Sequence, residues 1–334
     1  MRRLERIPVQ GLVLSPETAG PPARSREALG PEPALLTPTD VHALVLGLGL
    51  RPTKTLGQNF VVDPSQVRRI TAAANLEPGQ LVAEIGPGLG SLTLGLLGAG
   101  ALVTAVEIDP TLATVLPQTV ANHAPAAQAN LTVINADALD LTAFPPPSPT
   151  ALVANLPYNI ATKVLLRFLE RFESIEKALV MVQAEVADRL VAPPGSRTYG
   201  IPSVKAAWWA SARLAGRVPR NAFFPVPRVD SSLVYLERQP PPVGAPPHDQ
   251  VFAVVDAAFA ARRKTLRAAL AGLAGGPVQA EAALRAAGID PAARGETLSV
   301  SDFARLAAAL MEERPVAGGD GARRGNGVGN RNGD

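Results

Sequence analysis

The sequence predicts an α/β fold with helices on both faces of a sheet, followed by a small all-α C-terminal domain. Short apolar runs alternate with helical patterns between residues 81 and 183, which favours a parallel sheet. Beyond a Pro-rich segment at 239–248 only helical patterns follow. A chain of 334 residues with 47% apolar residues is long enough for two compact domains with a sizeable core.

Five apolar runs are predicted to be buried strands, and three amphipathic segments between them are predicted to be helices. The strands are LVAEI (81–85), LVTAVE (102–107), LTVIN (131–135), ALVAN (151–155) and KALVMVQ (177–183), and the helices are 91–99, 110–122 and 161–172. The C-terminal helices are predicted at 249–261, 263–273, 277–287 and 301–313. Gly288 is a predicted C-cap and Ser301 a predicted N-cap.

Composition divides the chain further. Residues 1–38 are rich in Pro, Gly and charge and are predicted to be a disordered extension. The main domain is predicted at 39–238, a linker at 239–248 and a helical domain at 249–314. The Gly/Arg-rich segment 315–334 is predicted to be a disordered tail.

The residue counts exclude several kinds of chemistry. Cysteine is absent, which excludes disulfides, a thiol nucleophile and Cys-ligated metals. The three histidines, at 42, 123 and 248, are far apart, so no metal site is expected. The net charge is only +3 and depends mainly on arginine, which reflects either codon usage or phosphate recognition.

One uncharged stretch, 85–106, is long enough to span a membrane. Its glycine cluster and the flanking Glu84 and Glu107 favour a strand, a tight loop, a short helix and a second strand instead. No apolar segment of signal-peptide length follows the N-terminal arginines. We therefore expect no membrane association and a cytoplasmic location.

A glycine loop follows the first predicted strand. Gly86, Gly88 and Gly90 have the spacing G-x-G-x-G, with Glu84 two residues before the first glycine. A dinucleotide fingerprint needs G-x-G-x-x-G, so a nicotinamide cofactor fits poorly because Ser91 stands after the third glycine. The loop resembles motif I of S-adenosylmethionine-dependent methyltransferases; the alternative is an ordinary Gly-rich turn.

Acidic residues follow the next two predicted strands. Glu107 ends the second strand, where a carboxylate can accept hydrogen bonds from both ribose hydroxyls of an adenosine. Asp137 follows the third, where it can accept from an adenine amine or simply cap a loop. With the glycine loop, these residues are predicted to line one crevice at the carboxyl edge of the sheet.

The segment Asn155-Leu156-Pro157-Tyr158 at the end of the fourth strand indicates the reaction. An adenine amine is a weak nucleophile, and the Asn155 oxygen and the Leu156 carbonyl can accept its two N–H groups. Pro157 fixes the backbone and Tyr158 offers a ring for base stacking. This is catalysis by positioning and electrostatics without a metal. The alternative is an Asn-Pro turn with a packed Tyr158.

An aromatic ring is expected on the other face of the base. The Pro-rich segment 219–231 supplies Phe223 and Phe224. We predict that Phe223 faces the site and Phe224 packs in the core, although both could be core residues.

Eight segments together resemble the KsgA/RsmA-type small-subunit rRNA adenine dimethyltransferase family. They are GQNFVVD (57–63), EIGPGLGSLT (84–93), AVEID (105–109), NADAL (135–139), NLPYNIAT (155–162), VQAEVADRLVAPPGSRTYG (182–200), FFPVPRVDSSLV (223–234) and ARRKTLRAAL (261–270). The resemblance covers about residues 51–312. It implies a Rossmann-like class I methyltransferase domain at 39–238 and transfer of two methyl groups to N6 of each of two adjacent adenines. These lie in a hairpin near the 3′ end of 16S rRNA, in a maturing 30S subunit.

The resemblance also implies which residues do the work. Cofactor contacts to S-adenosyl-L-methionine fall on Asn59, Val61, Gly86, Gly88, Glu107, Asp137 and Asn155. Target-base contacts fall on Asn155, Leu156, Pro157, Tyr158 and Phe223. The family more often has Leu where Val61 stands, a change that a backbone contact tolerates.

The basic run Arg262, Arg263 and Lys264, with Arg267, is expected to contact rRNA phosphates from the helical domain. Positions 263 and 267 would share a helical face, and the alternative is a solvated face. We expect a monomer. Three other functions stay open: methylation of one adenine of 23S rRNA, for which the family usually has Ile at position 156; a non-catalytic small-subunit assembly factor; and a nicotinamide oxidoreductase.

Overall fold

The computed structural model describes residues 33–50, 59–261 and 263–312. Within these residues a seven-stranded sheet has the order β4-β3-β2-β5-β6-β9-β7. Its strands are β2 (Leu81–Ile85), β3 (Leu102–Glu107), β4 (Leu131–Asn135), β5 (Ala151–Asn155), β6 (Lys177–Gln183), β7 (Ala210–Val218) and β9 (Ser231–Arg238). A separate two-stranded sheet pairs β1 (Phe60–Val61) with β8 (Phe223–Phe224). The five predicted strands are confirmed to the residue.

The first five strands of the large sheet are parallel, as predicted. The sheet as a whole is mixed, because β9 pairs antiparallel with β6, and β7 pairs antiparallel with β9. These last two strands were not predicted. The edge strand β7 is mostly exposed, carries two arginines and has an irregularity between Leu214 and Gly216, so it lacks a clear apolar pattern.

Helices cover both faces of the sheet, as predicted. One face packs against α1 (Pro38–Gly47), α2 (Pro64–Ala73), α3 (Ser91–Gly98) and α4 (Pro110–His123), and the other against α5 (Ala161–Arg171), α6 (Ala184–Leu190) and α7 (Ile201–Trp209). The core of each face is built mainly from Leu, Val and Ala, and the second face also contains the packed rings of Phe144, Phe168 and Phe172. Parallel strands buried on both faces explain why their sequences are continuous apolar runs.

The C-terminal helices form a third core. They are α8 (His248–Ala260), α9 (Leu266–Ala274), α10 (Pro277–Ala286) and α11 (Val300–Glu312). Tyr199, Val204 and Trp208 pack in this core together with the four helices. The segment around α7 therefore contacts both the sheet and the helical core, since Ala206 of the same helix packs against the sheet.

Three predicted boundaries are corrected by the structure. The disordered extension predicted at 1–38 is too long, because Leu36 is buried and the backbone N–H of Ala34 donates to the His123 carbonyl at 2.9 Å. The helix predicted from 263 begins at Leu266. The last helix is capped by Ser299 rather than Ser301. The Ser299 backbone N–H donates to the Asp302 carboxylate at 2.8 Å, and the Asp302 backbone N–H donates to the Ser299 hydroxyl at 3.2 Å.

Gly288 has the role predicted for it at the end of α10. Its φ of +71° places it in the left-handed region, one residue after the C-cap residue Ala287. The N–H of Ile289 then donates to the Leu284 carbonyl at 2.8 Å, which satisfies an acceptor of the last turn.

The uncharged stretch 85–106 is divided as predicted, between the end of β2, a loop, α3 and β3. In the part of the chain that the structure describes, no helix is both long enough and apolar enough to cross a bilayer.

Candidate active site

The glycine loop after β2 has the backbone geometry that requires glycine. Gly86, Gly88 and Gly90 have φ angles of +67°, +59° and +98°, all in the left-handed region that side chains disfavour. A Cβ atom at Gly90 would lie 2.8 Å from Leu116, so the third glycine also allows close packing against α4. A Cβ at Gly86 would meet no protein atom within 4 Å. The loop is therefore compact on its protein side and open at Gly86.

Two acidic residues, Glu84 and Glu107, form hydrogen bonds in and beside the glycine loop. Glu84 is buried, and its carboxyl accepts a hydrogen bond from the Thr93 hydroxyl at 2.6 Å. Burial away from water raises the pKa of Glu84 to about 8, against the hydrogen bond from Thr93, which lowers it. The hydrogen bond between Thr93 and Glu84 therefore joins the end of β2 to α3, and the raised pKa favours the protonated form of Glu84.

Glu107, at the end of β3, has both carboxylate oxygens held by backbone. One accepts from the Gly88 N–H at 3.1 Å and the other from the Asp109 N–H at 3.0 Å. Burial raises the pKa of Glu107, and the two backbone hydrogen bonds oppose that rise. Each carboxylate oxygen retains a second acceptor position, which suits a pair of ribose hydroxyls.

The residue before the short strand β1 fixes Asn155, the asparagine that the sequence predicts to be catalytic. The Asn155 side-chain N–H₂ donates to the Asn59 carbonyl at 2.9 Å. The Ser91 hydroxyl donates to the Val61 carbonyl at 2.6 Å. Because the asparagine nitrogen bonds a carbonyl, its oxygen is the atom that stays available as an acceptor.

Pro157 and Tyr158 follow directly. The Tyr158 hydroxyl and the Ser231 hydroxyl are 2.6 Å apart, which anchors the half-buried ring at one end. Burial raises the pKa of Tyr158, so the phenol stays protonated. Leu156 is buried, and its N–H donates to the Met181 carbonyl at 3.1 Å. Strand β6 thus holds in place the backbone of Asn155-Leu156-Pro157-Tyr158, which is called the acceptor motif below.

A single cavity brings the predicted cofactor residues together. Asn59, Val61, Gly86, Gly88, Glu107, Asp137 and Asn155 all line it. Pro157, Ile160 and Ile108 also line it, whereas Leu156 and Tyr158 do not. The Asp137 carboxylate also accepts from the Leu139 N–H at 2.8 Å, so it caps its own loop while lining the cavity.

Phe223 is not where the sequence placed it. It is only 1% exposed, packs in the core with the residues around α2 and α3, and does not line the cavity. Phe224 is the more exposed ring of the two and lies against His42, with ring centroids 4.2 Å apart. Phe224 also packs partly against this core and does not line the cavity, so neither ring is seen at the site.

The basic run of the C-terminal domain is also arranged differently from the prediction. Arg262 lies outside the described residues. Arg263 and Lys264 are exposed but precede α9, so they do not share a helical face with Arg267. The Arg267 guanidinium is paired with the Glu281 carboxylate at 2.9 Å. A helical phosphate-binding face of these residues is therefore not formed.

Several site residues were missed by the sequence reasoning. Ser91 and Thr93 link the glycine loop to β1 and to Glu84, and Ile108 lines the cavity beside Glu107. In the sequence, Ser91 stands out only as a mismatch to the dinucleotide fingerprint. The sequence signal for these residues is their position: Ser91 and Thr93 follow Gly90 closely, and Ile108 follows Glu107. Within the described residues, no cluster of three or more His, Asp or Glu could hold a metal ion.

The hydrogen-bonding groups that line this cavity, and its open side at Gly86, fit an adenosine-containing cofactor. Glu107 presents both carboxylate oxygens to a ribose, the glycine loop admits close backbone approach, and Asn155 and Pro157 of the acceptor motif line the same cavity. A mostly parallel α/β sheet with this site at its carboxyl edge defines a Rossmann-like class I methyltransferase dependent on S-adenosyl-L-methionine.

Comparison with known proteins defines the family. The model described as "Ribosomal RNA adenine dimethylase" matches residues 50–312. The chain belongs to this family and is an S-adenosyl-L-methionine-dependent rRNA adenine dimethyltransferase. It is 61% identical over 281 residues to "Ribosomal RNA small subunit methyltransferase A" of Thermobifida fusca, covering 84% of this chain and 96% of the relative. The Kineococcus radiotolerans protein of the same name is 62% identical over 275 residues, covering 82% and 91%.

Solved structures agree on the fold. A dimethyladenosine transferase from Plasmodium falciparum superposes with a TM-score of 0.63 at 23% identity, over 75% of this chain and 97% of that one. The 23S rRNA methyltransferase ErmE superposes with a TM-score of 0.58 at 31% identity, over 76% of this chain and 100% of that one. The prediction of a class I methyltransferase domain followed by helices is confirmed.

Proposed function

We propose that this enzyme dimethylates N6 of two adjacent adenines in a hairpin near the 3′ end of 16S rRNA. Its substrate is the maturing 30S subunit, and the enzyme acts as a cytoplasmic monomer. The chemistry is supported by the Asn155 amide, whose nitrogen bonds the Asn59 carbonyl and whose oxygen is left to accept from an amine. The choice of target is supported by the name of the 61% identical relative, which refers to the small subunit.

The protein's contribution is to hold the amine. S-adenosyl-L-methionine supplies an electrophilic methyl group when it is bound. The Asn155 oxygen and the Leu156 carbonyl accept the two N–H groups of the adenine amine, which favours the tetrahedral nitrogen that develops during transfer. The Tyr158 ring stacks on the base, and its hydroxyl is held by Ser231. No general base is required, because the amine proton becomes acidic once the methyl group is attached.

The surrounding structure makes these acceptors rigid. The Leu156 N–H bonds to β6, and Asn59, directly before β1, supplies the carbonyl that orients Asn155. Positioning of this kind supplies much of the rate enhancement in enzymes that lack a covalent step. Because Phe223 is buried in the core, we do not assign it to the second face of the base.

A 23S rRNA target is the second candidate, since ErmE shares the fold at 31% identity. Leu156 disfavours it, because the resistance-type enzymes usually have Ile at this position. Small subunits from a strain lacking the modification, and large subunits in parallel, would be incubated with the enzyme and tritiated S-adenosyl-L-methionine. We expect label in N6,N6-dimethyladenosine of 16S rRNA only. Label confined to the large subunit would replace the proposed target by the second candidate.

A separate binding role in subunit assembly is compatible with the enzyme activity. We expect the variant Asn155→Ala to bind small subunits normally without methylating them. Complementation of a deletion strain by this variant would reveal a role in assembly that does not need catalysis. Failure to complement, with normal binding in vitro, would show that methylation itself is the required step.

A further inference from the structure

A row of arginines follows the exposed edge of the large sheet. Arg213 and Arg217 lie on β7, and Arg220 follows in the turn after it. Arg69 of α2 joins them, because its guanidinium donates to the Arg217 carbonyl at 2.6 Å. All four side chains are exposed, and these four residues are called the arginine row below.

The arginine row is not neutralised by acids of the protein. Within the described residues none of the four forms an ion pair with a carboxylate. Other exposed arginines do: Arg285 pairs with Glu281 at 2.8 Å and Arg305 pairs with Asp302. The acids nearest in the strand pairing are Glu237, which lies opposite Ser211, and Asp230, whose carboxylate accepts the Arg220 backbone N–H.

The row leads to the acceptor motif. Val218, at the end of β7, lies opposite Ser231, whose hydroxyl is 2.6 Å from the Tyr158 hydroxyl. From Arg213 to Val218 the strand rises about 16 Å at about 3.3 Å per residue. The positive charges therefore extend outward along the sheet edge from the ring proposed to stack on the target base.

The side chains of the row are partly fixed but keep free donors. The Arg213 guanidinium lies over the Tyr235 ring, with its carbon 4.5 Å from the ring centroid. A guanidinium stacked on a ring retains its five N–H donors at the edge, which suit a phosphate. The irregularity between Leu214 and Gly216 places Arg213 opposite Tyr235 and Arg217 opposite Ser232, so their side chains leave the strand on opposite faces of the sheet, on either side of its free edge. The hydrogen bond from Arg69 to the Arg217 carbonyl fixes the strand at this point.

We propose that the arginine row binds the phosphate backbone of the rRNA on the side of the target hairpin. This inference rests on the proposed function, and it identifies the surface by which that site holds its substrate. It adds a second surface to the sequence-based expectation that Arg262, Arg263 and Lys264 contact phosphates, which stays a prediction, whereas Arg267 is paired with Glu281. The alternative is that the arginines only keep the exposed strand edge from pairing with other chains.

The test is the double variant Arg213→Gln/Arg217→Gln of the full chain. Equilibrium binding to small subunits from a strain lacking the modification would be measured from about 50 to about 200 mM salt. Loss of two phosphate contacts is expected to reduce the slope of log K against log salt by about 1.4 to 1.8. The KM for subunits should rise by about tenfold, while kcat at saturating subunits and the affinity for S-adenosylhomocysteine stay unchanged.

The matched control is Arg285→Gln/Arg305→Gln, which removes the same charge from arginines that are already paired. It should leave the salt slope and KM unchanged. Equal effects of the two double variants would overturn the proposal, because net charge alone would then explain the change. An unchanged slope in Arg213→Gln/Arg217→Gln, with or without new aggregation, would also overturn it. If the wild-type enzyme failed to methylate small subunits, the proposed function would fail independently of the salt slope.

Discussion

The Asn155 side chain donates to the backbone carbonyl of Asn59 at 2.9 Å, across 96 residues of sequence. This bond connects the end of β5, where the acceptor motif begins, with the residue that precedes β1, and both residues line the cavity. It fixes the side chain so that the amide oxygen, not the nitrogen, remains for the adenine amine. The same contact thus links the segment that leads into β1 to the orientation proposed for the base.

Replacing Asn155 by alanine should abolish most methyl transfer without unfolding the protein. Loss of one positioned hydrogen-bonding group costs about 10² to 10³ in kcat. The lost hydrogen bond to Asn59 should cost about 1 kcal/mol of stability, or a few degrees in Tm. Transfer to undermethylated small subunits and thermal unfolding would be measured together. Residual turnover within about tenfold of wild type would contradict the assigned role.

The buried carboxyl of Glu84 predicts a pH dependence of stability. Its pKa is about 8 in the folded protein and about 4.5 when exposed, so the folded state binds the proton more tightly between these values. Stability from this group is therefore fully present below about pH 4.5 and is lost as pH rises through about 8. The raised pKa of Glu107 acts with the same sign. Stability should fall between pH 5 and pH 8 by about 1 to a few kcal/mol.

Glu84→Gln isolates this effect, because glutamine has similar volume and can still accept from the Thr93 hydroxyl. We expect a flatter dependence of the free energy of unfolding on pH and a stability gain relative to wild type at pH 8. Denaturant unfolding from pH 5 to 8 measures both. Glu77→Gln, at an exposed position, is the control. Parallel pH curves for wild type and Glu84→Gln would show that Glu84 is ionised in the fold.

Gly86→Ala should weaken cofactor binding, whereas Gly79→Ala should not. Both glycines have positive φ, +67° and +80°, and at both a Cβ would meet no protein atom within 4 Å. The backbone penalty should therefore be similar, about 1 to 2 kcal/mol of stability. Of these two glycines, Gly86 lines the cavity and Gly79 does not.

Titration calorimetry with S-adenosylhomocysteine would separate the two glycines. We expect an affinity loss of at least about tenfold for Gly86→Ala, or about 1.4 kcal/mol, and wild-type affinity for Gly79→Ala. Equal affinities would mean that the cofactor does not approach the loop at Gly86.

Tyr158 should contribute through its ring rather than its hydroxyl. Tyr158→Phe removes the hydrogen bond with Ser231 and should cost severalfold in kcat, since the ring remains. Tyr158→Ala removes the stacking surface, which is worth about 1 to 3 kcal/mol per base, and should cost about 10- to 100-fold. Single-turnover methylation at saturating subunits measures the loss of rate in each of the two variants. A larger loss in Tyr158→Phe than in Tyr158→Ala would assign the chemistry to the hydroxyl.

Local signals were sufficient for much of this protein. Five buried strands could be located to the residue, because parallel strands covered on both faces are continuous apolar runs. The glycine loop, Glu107 and Asp137 were found because residues at the carboxyl ends of neighbouring parallel strands meet at one edge. The cap of α11 could have been found as well, since Ser299 and Asp302 have the spacing of a capping box.

Tertiary structure decided what depends on distant partners. The sequence by itself determined the fold class, the cofactor crevice and the acceptor motif, because each is encoded in a short contiguous segment. It did not determine that Phe223 is buried, that β7 and β9 extend the sheet, or that Glu281 pairs with Arg267. Those outcomes depend on which face of a strand meets the core and which charges meet in space. Neither is set by local pattern when an edge strand is half-exposed and charges are far apart in sequence.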